Sequence, residues 1–232
     1  MDSWIGGAAT AAARVTRTDT LPFMDRASSV TVVPATLESW DAVEKILGGD
    51  GERGCWCQAW RGRDATAKRN DETRPATLRR QLAGAVPPPG FLAFLDGEPI
   101  GWVGVSLRTA TPRLLASRTI PRIDELPVWA IGCLRVRPGF RRRGVTTALI
   151  AGVVEAARAA GAPGVEAWPI DPAGGRVDAG GAYVGIATTF ARSGFHRVLE
   201  TGARSAGLPR ILMRLNIDRA PAASSKGSGS GD

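Results

Sequence analysis

The sequence predicts an α/β domain built on a mixed sheet, and three observations carry that reading. "FLAFLDGEPIGWVGVSL" (residues 91–107) holds two apolar runs around Asp96-Gly97-Glu98-Pro99, the pattern of a β-hairpin. "VWAIGCLRV" (128–136) runs through a turn into a helical pattern and then into "GVEAWPI" (164–170). A strand–helix–strand crossover of this kind implies a parallel pair. "FHRVLET" and "RILMRLNI" close the folded part as two further strands.

The other elements follow in order. "SVTVVP" reads as a first strand. Thr36 is the expected cap of "LESWDAVEKIL", where Leu37, Trp40, Val43, Ile46 and Leu47 recur at helical spacing. "GGDGERG" ends that helix, and "ETRPATLRRQLAG" is a second one. After the hairpin comes a Pro-broken connection, residues 108–127. "VWAIGCLRV" is apolar on both faces, which predicts a central strand. Val145, Ala148, Leu149, Gly152, Val153 and Ala156 mark one face of a helix ending near Gly161. A Gly-rich loop then leads to a short helix, Ile186 to Ser193, stopped by Gly194. No internal repeat is evident.

Composition bounds the rest. At 44% hydrophobic residues, 232 residues can bury a real core in one domain. Residues 1–28 and 219–232 are rich in small residues and read as disordered tails around a domain over 29–218. No run approaches the roughly 18 apolar residues of a membrane helix, so no membrane partner is expected. Three cysteines, an odd count without a secretory signal, point to reduced thiols in a cytoplasm. Cys55 and Cys57 read as small packing residues between Trp56 and Trp60. With His196 as the single histidine, no metal site is expected. The net charge of +8 admits nucleic acid or a phosphorylated ligand as partner, without favouring nucleic acid.

The densest chemical signal is "RVRPGFRRRGVTTAL" (135–149). A strand that turns into a helix N-terminus aims several backbone N–H groups at one spot, where the helix dipole adds positive charge. Such a site suits phosphate. Gly144 permits close backbone approach, and Arg141, Arg142 and Arg143 add charge outside. A P-loop is excluded because no Lys follows Gly144, and a dinucleotide fingerprint is excluded because its other glycines are missing. The competing reading is a charged surface turn without a ligand.

"LRVRPGFRRRGVTTALI" resembles the acyl-CoA-binding motif of the GNAT N-acetyltransferase superfamily, Arg/Gln-x-x-Gly-x-Gly/Ala, with Arg141 to Thr146 on the motif. "FARSGF", Phe190 to Phe195, resembles the family's aromatic-x-x-x-Gly-Phe element. The element order fits the same family over about residues 30–217, and the "CWCQAWR" and "PVWAI" segments resemble an actinobacterial-type subgroup. The resemblance implies a mixed sheet whose two parallel strands splay apart, flanked by about four helices. It implies acetyl-CoA as acyl donor. Pantetheine would pair with the backbone of Leu134 and Val136. The pyrophosphate would meet the N–H groups of Arg142, Arg143, Gly144, Val145 and Thr146, and arginine side chains would meet the adenosine phosphates. Two positions depart from the pattern. Thr146 stands where Gly or Ala is usual, and either crowds the pyrophosphate or donates its hydroxyl to it. Phe190 stands where many members have a Tyr that protonates the leaving thiolate. A thiol pKa of about 8.5 makes that acid dispensable.

Acetyl transfer needs a neutral amine, and an amine of pKa about 10.4 is neutral only about once in 2,500 molecules at pH 7. A general base, or water leading to one, is therefore expected. Glu166, on the strand beside the gap, is the first candidate, although strand alternation can equally turn it away. Asp171, Glu125 and Asp124 follow, each alternatively a salt-bridged carboxylate. Tyr183, the only tyrosine, either replaces the missing acid or packs its loop. His196 reads as an edge residue. Trp56 and Trp60 are either core or lining of the acceptor pocket.

The expected function is transfer of the acetyl group of acetyl-CoA to a primary amine, of a small molecule or of a peptide or protein, by direct attack in a ternary complex. Two rivals stand beside it. One is a non-catalytic acyl-CoA-binding regulatory domain, and the other is an acetyltransferase acting on a nucleic-acid-linked amine such as aminoacyl-tRNA. A homodimer is compatible with the sequence.

Overall fold

A computed structural model describes residues 30–217, apart from residues 63, 173–174, 176 and 178–180. The tails expected over 1–28 and 219–232, and most of the Gly-rich loop, lie outside the described residues. The chain runs β1 (Thr31–Pro34), α1 (Trp40–Leu47), α2 (Gln58–Arg61), α3 (Ala65–Arg69), α4 (Arg74–Leu82), β2 (Gly90–Leu95) and β3 (Glu98–Leu107). It continues with α5 (Pro112–Leu115), β4 (Trp129–Val136), α6 (Val145–Ala159), β5 (Gly164–Ala167), α7 (Ala187–Arg192), β6 (His196–Ser205) and β7 (Leu208–Asn216). The seven strands form one mixed sheet in the order β1-β2-β3-β4-β5-β7-β6. β4 and β5 are its parallel pair, and β4 is the central strand, as its two-sided apolar sequence predicts.

The β2–β3 hairpin closes at Asp96-Gly97, both at positive φ (50° and 80°), as a two-residue turn requires. α1 starts later than its hydrophobic pattern. Thr36 does not cap it: the Ser39 hydroxyl donates to the Thr36 carbonyl at 2.9 Å, and that turn uses up Leu37 and Glu38. α2, α3 and α5 raise the helix count above the expected four. Each has four or five residues, too few to show a period. Asp64 and Thr73 cap α3 and α4 through their side chains.

The sheet is covered on both faces. α6 and α7 cover one face over Phe91, Val103, Ile131 and Val165, with Leu149, Val153 and Phe190 fully buried between the layers. On the other face, α1 and α4 pack with Trp56 and Cys57 on Leu92 and Trp102. Further along that face, Trp60 and Leu114 pack on Ala130, Trp168 and Leu212.

Candidate active site

Two features of β4 open the centre of the sheet. β3 pairs Gly104 with Cys133 but Val105 with Ile131, so Gly132 is an extra, unpaired residue in β4. Such a bulge bends a strand and ends regular pairing. On the other side, β5 follows β4 only from Trp129 to Ile131, while β4 runs on to Val136. β5 stops early because Pro169 has no N–H to give a ladder, although Ile170 still bridges to Ile186 and Arg210. The N–H of Arg137 bonds to Ile100 of β3 at 2.9 Å. Backbone groups alternate sides along a strand, so Leu134 and Val136 turn theirs away from β3, into the gap.

Past the end of β4 the chain turns through Gly139 (φ 87°), Arg142 (φ 61°) and Gly144 (φ 76°) into α6. The first intrahelical bond is from the Ala148 N–H to the Gly144 carbonyl, which leaves the N–H groups of Val145, Thr146 and Thr147 without helical partners. A cavity of about 210 Å³ lies there, bounded by Val136, Arg141, Arg142, Gly144, Val145 and Thr146, with Thr189 of α7 opposite. A Cβ on Gly144 would meet nothing within 4 Å and would project into open space. The glycine is thus required by its φ and not by crowding from protein atoms. The arginines divide. Arg141 and Arg142 border the cavity, whereas Arg143 lies over the Phe140 ring with its Cζ 5.8 Å from the centroid. Arg137 is held by Glu98 at 2.6 Å and by the Pro99 carbonyl at 2.9 Å. The β4 edge that β5 leaves unpaired, where the Val136 carbonyl accepts from Arg141 Nε at 3.4 Å, leads to N–H groups without helical partners, a layout that would fit pantetheine and pyrophosphate.

A second, apolar cavity of about 30 Å³ sits at the bulge, lined by Cys57, Trp60, Arg61, Gly132, Cys133 and Tyr183 among others. In the sequence Cys57 reads as a packing residue, because Cys133 and Trp102 are distant from it in the chain. The hydrogen bond with Cys133 pulls the Cys57 thiol down to about 6, helped by the Arg61 charge and the Trp102 N–H against the cost of burial. The same bond, with burial, pushes Cys133 up. Cys55 is exposed, so it does not pack as expected.

The predicted catalytic residues separate. Tyr183 lines the apolar cavity. Glu166 does not: it is 1% exposed on the α5 face and accepts from Arg214 Nε at 2.9 Å, with Arg108 Nε 3.5 Å from its other oxygen. Asp124 also binds Arg214, Asp171 binds Arg197 at 2.8 Å, and Glu125 pairs with Arg122 at 2.5 Å. Among the described residues, no carboxylate borders either cavity. Of the two expected pocket tryptophans, Trp60 lines the cavity. Trp56 instead stacks on Trp40 at 5.7 Å and donates to the Gly51 carbonyl at 2.7 Å, inside the core. Phe190 is fully buried and packs edge-on against Phe195 at 5.1 Å, with no polar atom to offer. His196 is exposed at the start of β6.

A sheet parted at a bulged central strand, with an anion cradle beyond one end and an apolar cavity beside it, is the layout of an acyl-CoA-dependent acyltransferase. The chain matches the profile of the acetyltransferase (GNAT) family over residues 56–173, and it belongs to that family. Acetyl-CoA is accordingly its acyl donor. Solved structures similar to it include a histone acetyltransferase HPA2 and related acetyltransferase from Corynebacterium glutamicum, at 17% identity, 84% of this chain and 99% of that one, with TM-score 0.49. A putative GNAT acetyltransferase from Desulfovibrio desulfuricans matches at 18% identity over 82% and 100%, with TM-score 0.48. The PaiA N-acetyltransferase of Thermoplasma acidophilum, solved with coenzyme A, matches at 10% over 81% and 99%, with TM-score 0.48. No curated protein matches the chain.

Proposed function

We propose that this chain acetylates a primary amine by direct attack on bound acetyl-CoA. The observation that carries the reading is the continuity of the β4 edge that β5 leaves unpaired, at Leu134 and Val136, with the donor-lined cavity at Gly144 to Thr147. Leu134 and Val136 hold the pantetheine through backbone hydrogen bonds. The N–H groups of Val145, Thr146 and Thr147 hold the pyrophosphate, and Arg141 and Arg142 hold the outer phosphates. In the transfer, the amine nitrogen bonds to the acetyl carbon, the carbon–sulfur bond breaks, and the amine gives up one proton as the thiolate gains one. A β4 N–H meets the oxyanion. Tyr183, on the wall of the bulge cavity, supplies the thiolate proton in place of Phe190. The amine proton leaves through water, because Glu166 is committed to arginines. The "CWCQAWR" segment, read as a subgroup mark, contributes Cys57 and Trp60 to the acceptor side.

The test is Gly144→Tyr. It forces a side chain at positive φ into the space left for phosphate, so acetyl-CoA binding measured by calorimetry falls at least about 100-fold while far-ultraviolet circular dichroism stays native. Unchanged affinity in a folded variant removes this turn as the donor site. Binding of acetyl-CoA by the native chain without thiol release across a broad amine panel favours the regulatory rival.

A further inference from the structure

Beside the bulge, on the face away from α6, three side chains make one cluster. The Trp60 and Trp168 rings meet edge-on at 5.5 Å and 81°. The Arg210 Cζ lies 5.5 Å from the Trp60 centroid and 6.0 Å from that of Trp168. Arg210 is 3% exposed, and its Nε donates to the Trp168 carbonyl at 2.9 Å, which fixes the guanidinium. Among the described residues, three donors in this cluster are buried without a hydrogen-bond partner: Trp60 Nε1, Trp168 Nε1 and Arg210 Nη2. Each such group stays desolvated at a cost to stability if nothing accepts from it.

Their placement points to the reaction centre. A Cβ on Gly132 would stand 3.2 Å from Trp60 Cδ1 and 3.6 Å from Trp168 Cζ2. The Cγ–Cδ1 edge of Trp60 and the Cζ2 corner of Trp168 thus stand against the bulge. Three arginines are buried in the described structure. Arg108 and Arg214 share Glu166, and Arg214 also takes Asp124, whereas Arg210 meets no carboxylate among the described residues. Burial pulls the Arg210 pKa down to about 10, and the Tyr183 phenol opposes that shift, so its charge persists at neutral pH. Among the described residues, donors and a positive charge are gathered here, and the Trp168 carbonyl takes only one of them. A carboxylate supplies what is lacking: negative charge and several lone-pair sites on two oxygens.

We propose that the Trp60–Trp168–Arg210 cluster binds a carboxylate of the acceptor, so that the acceptor is a small molecule carrying both an amine and a carboxylate. This rests on the acetyl-transfer reading and narrows it to amino acids and their kin.

The experiment pairs free amino acids with their carboxamides and decarboxylated amines, with acetyl-CoA and thiol release as readout. Free acids exceed their partners by about tenfold or more in kcat/KM, because the amide leaves buried charge unpaired. Arg210→Met removes that preference through KM, Arg210→Lys keeps part of it, and acetyl-CoA affinity is unchanged in both. Circular dichroism confirms that each variant is folded. A second readout needs no turnover: N-acetyl amino acids and their amides are titrated into the CoA complex while tryptophan fluorescence is followed. Carboxylates bind and amides do not, and Arg210→Met abolishes the difference. Equal use or equal binding of acid and amide overturns the proposal, as does a preference that survives in Arg210→Met; water filling the cluster gives that result. Failure of the acetyl-transfer reading is a different outcome, an absence of both acetyl-CoA binding and thiol release.

Discussion

Glu166 shows how a residue's role depends on neighbours that sequence distance hides. Its place beside the parting strands made it the natural base. Arg214 lies 48 positions away and Arg108 lies just past the end of β3, and together they take both carboxylate oxygens. Strand alternation gives two faces but does not say which one is open. Glu166→Ala leaves two arginines buried with less compensation, and removing one partner of a buried ion pair costs about 3–5 kcal/mol. Chemical denaturation should show that loss, with kcat of the folded fraction retained. A variant of native stability and lost turnover would restore Glu166 as the base. Tyr183 and Trp60 were legible as candidates because a lone tyrosine and a tryptophan near the first helices are conspicuous. Arg210 carried no local signal at all: in "RILMRLNI" it reads as an ordinary outward charge.

At the scale of elements, the long apolar segments were readable and the short ones were not. The hairpin, the central strand and α6 have enough residues to establish a period of 2 or 3.6. α2 and α3, with four and five residues, do not. β5 was read as seven residues and pairs over four, since Pro169 interrupts what composition alone would continue. Gly152 shares one face of α6 with the apolar residues of the sequence pattern, but its purpose emerges only in three dimensions. A Cβ there would stand 2.5 Å from Val32 Cγ1 and 2.9 Å from Val32 Cβ, so the glycine sets how closely α6 lies on β1. Gly152→Val should therefore cost about 1–3 kcal/mol through overpacking. The urea midpoint falls with an unchanged slope, and acetyl-CoA affinity is kept, because the turn at Gly144 lies two helical turns away. A stable variant would show that the helix shifts freely over the sheet.

For the molecule as a whole, the order of strands and helices was largely legible, and the meaning of its charge was not. A balance of +8 invites a nucleic-acid reading. Much of that arginine is used internally: Arg80 ties Asp64 to Glu72, Arg137 joins Glu98, and Arg61 caps the Pro89 and Val105 carbonyls. The parted centre of the sheet has one more consequence. A protein whose middle strand has bonding capacity to spare is an unfinished structure, and its substrate is the missing piece. Folding and donor supply are then one equilibrium: at 100 times its Kd, a donor that binds only the folded chain adds about 2.7 kcal/mol. The melting temperature should climb with acetyl-CoA concentration and stay flat in Gly144→Tyr. In a cell, the lifetime of this protein would then rise and fall with the acetyl-CoA pool.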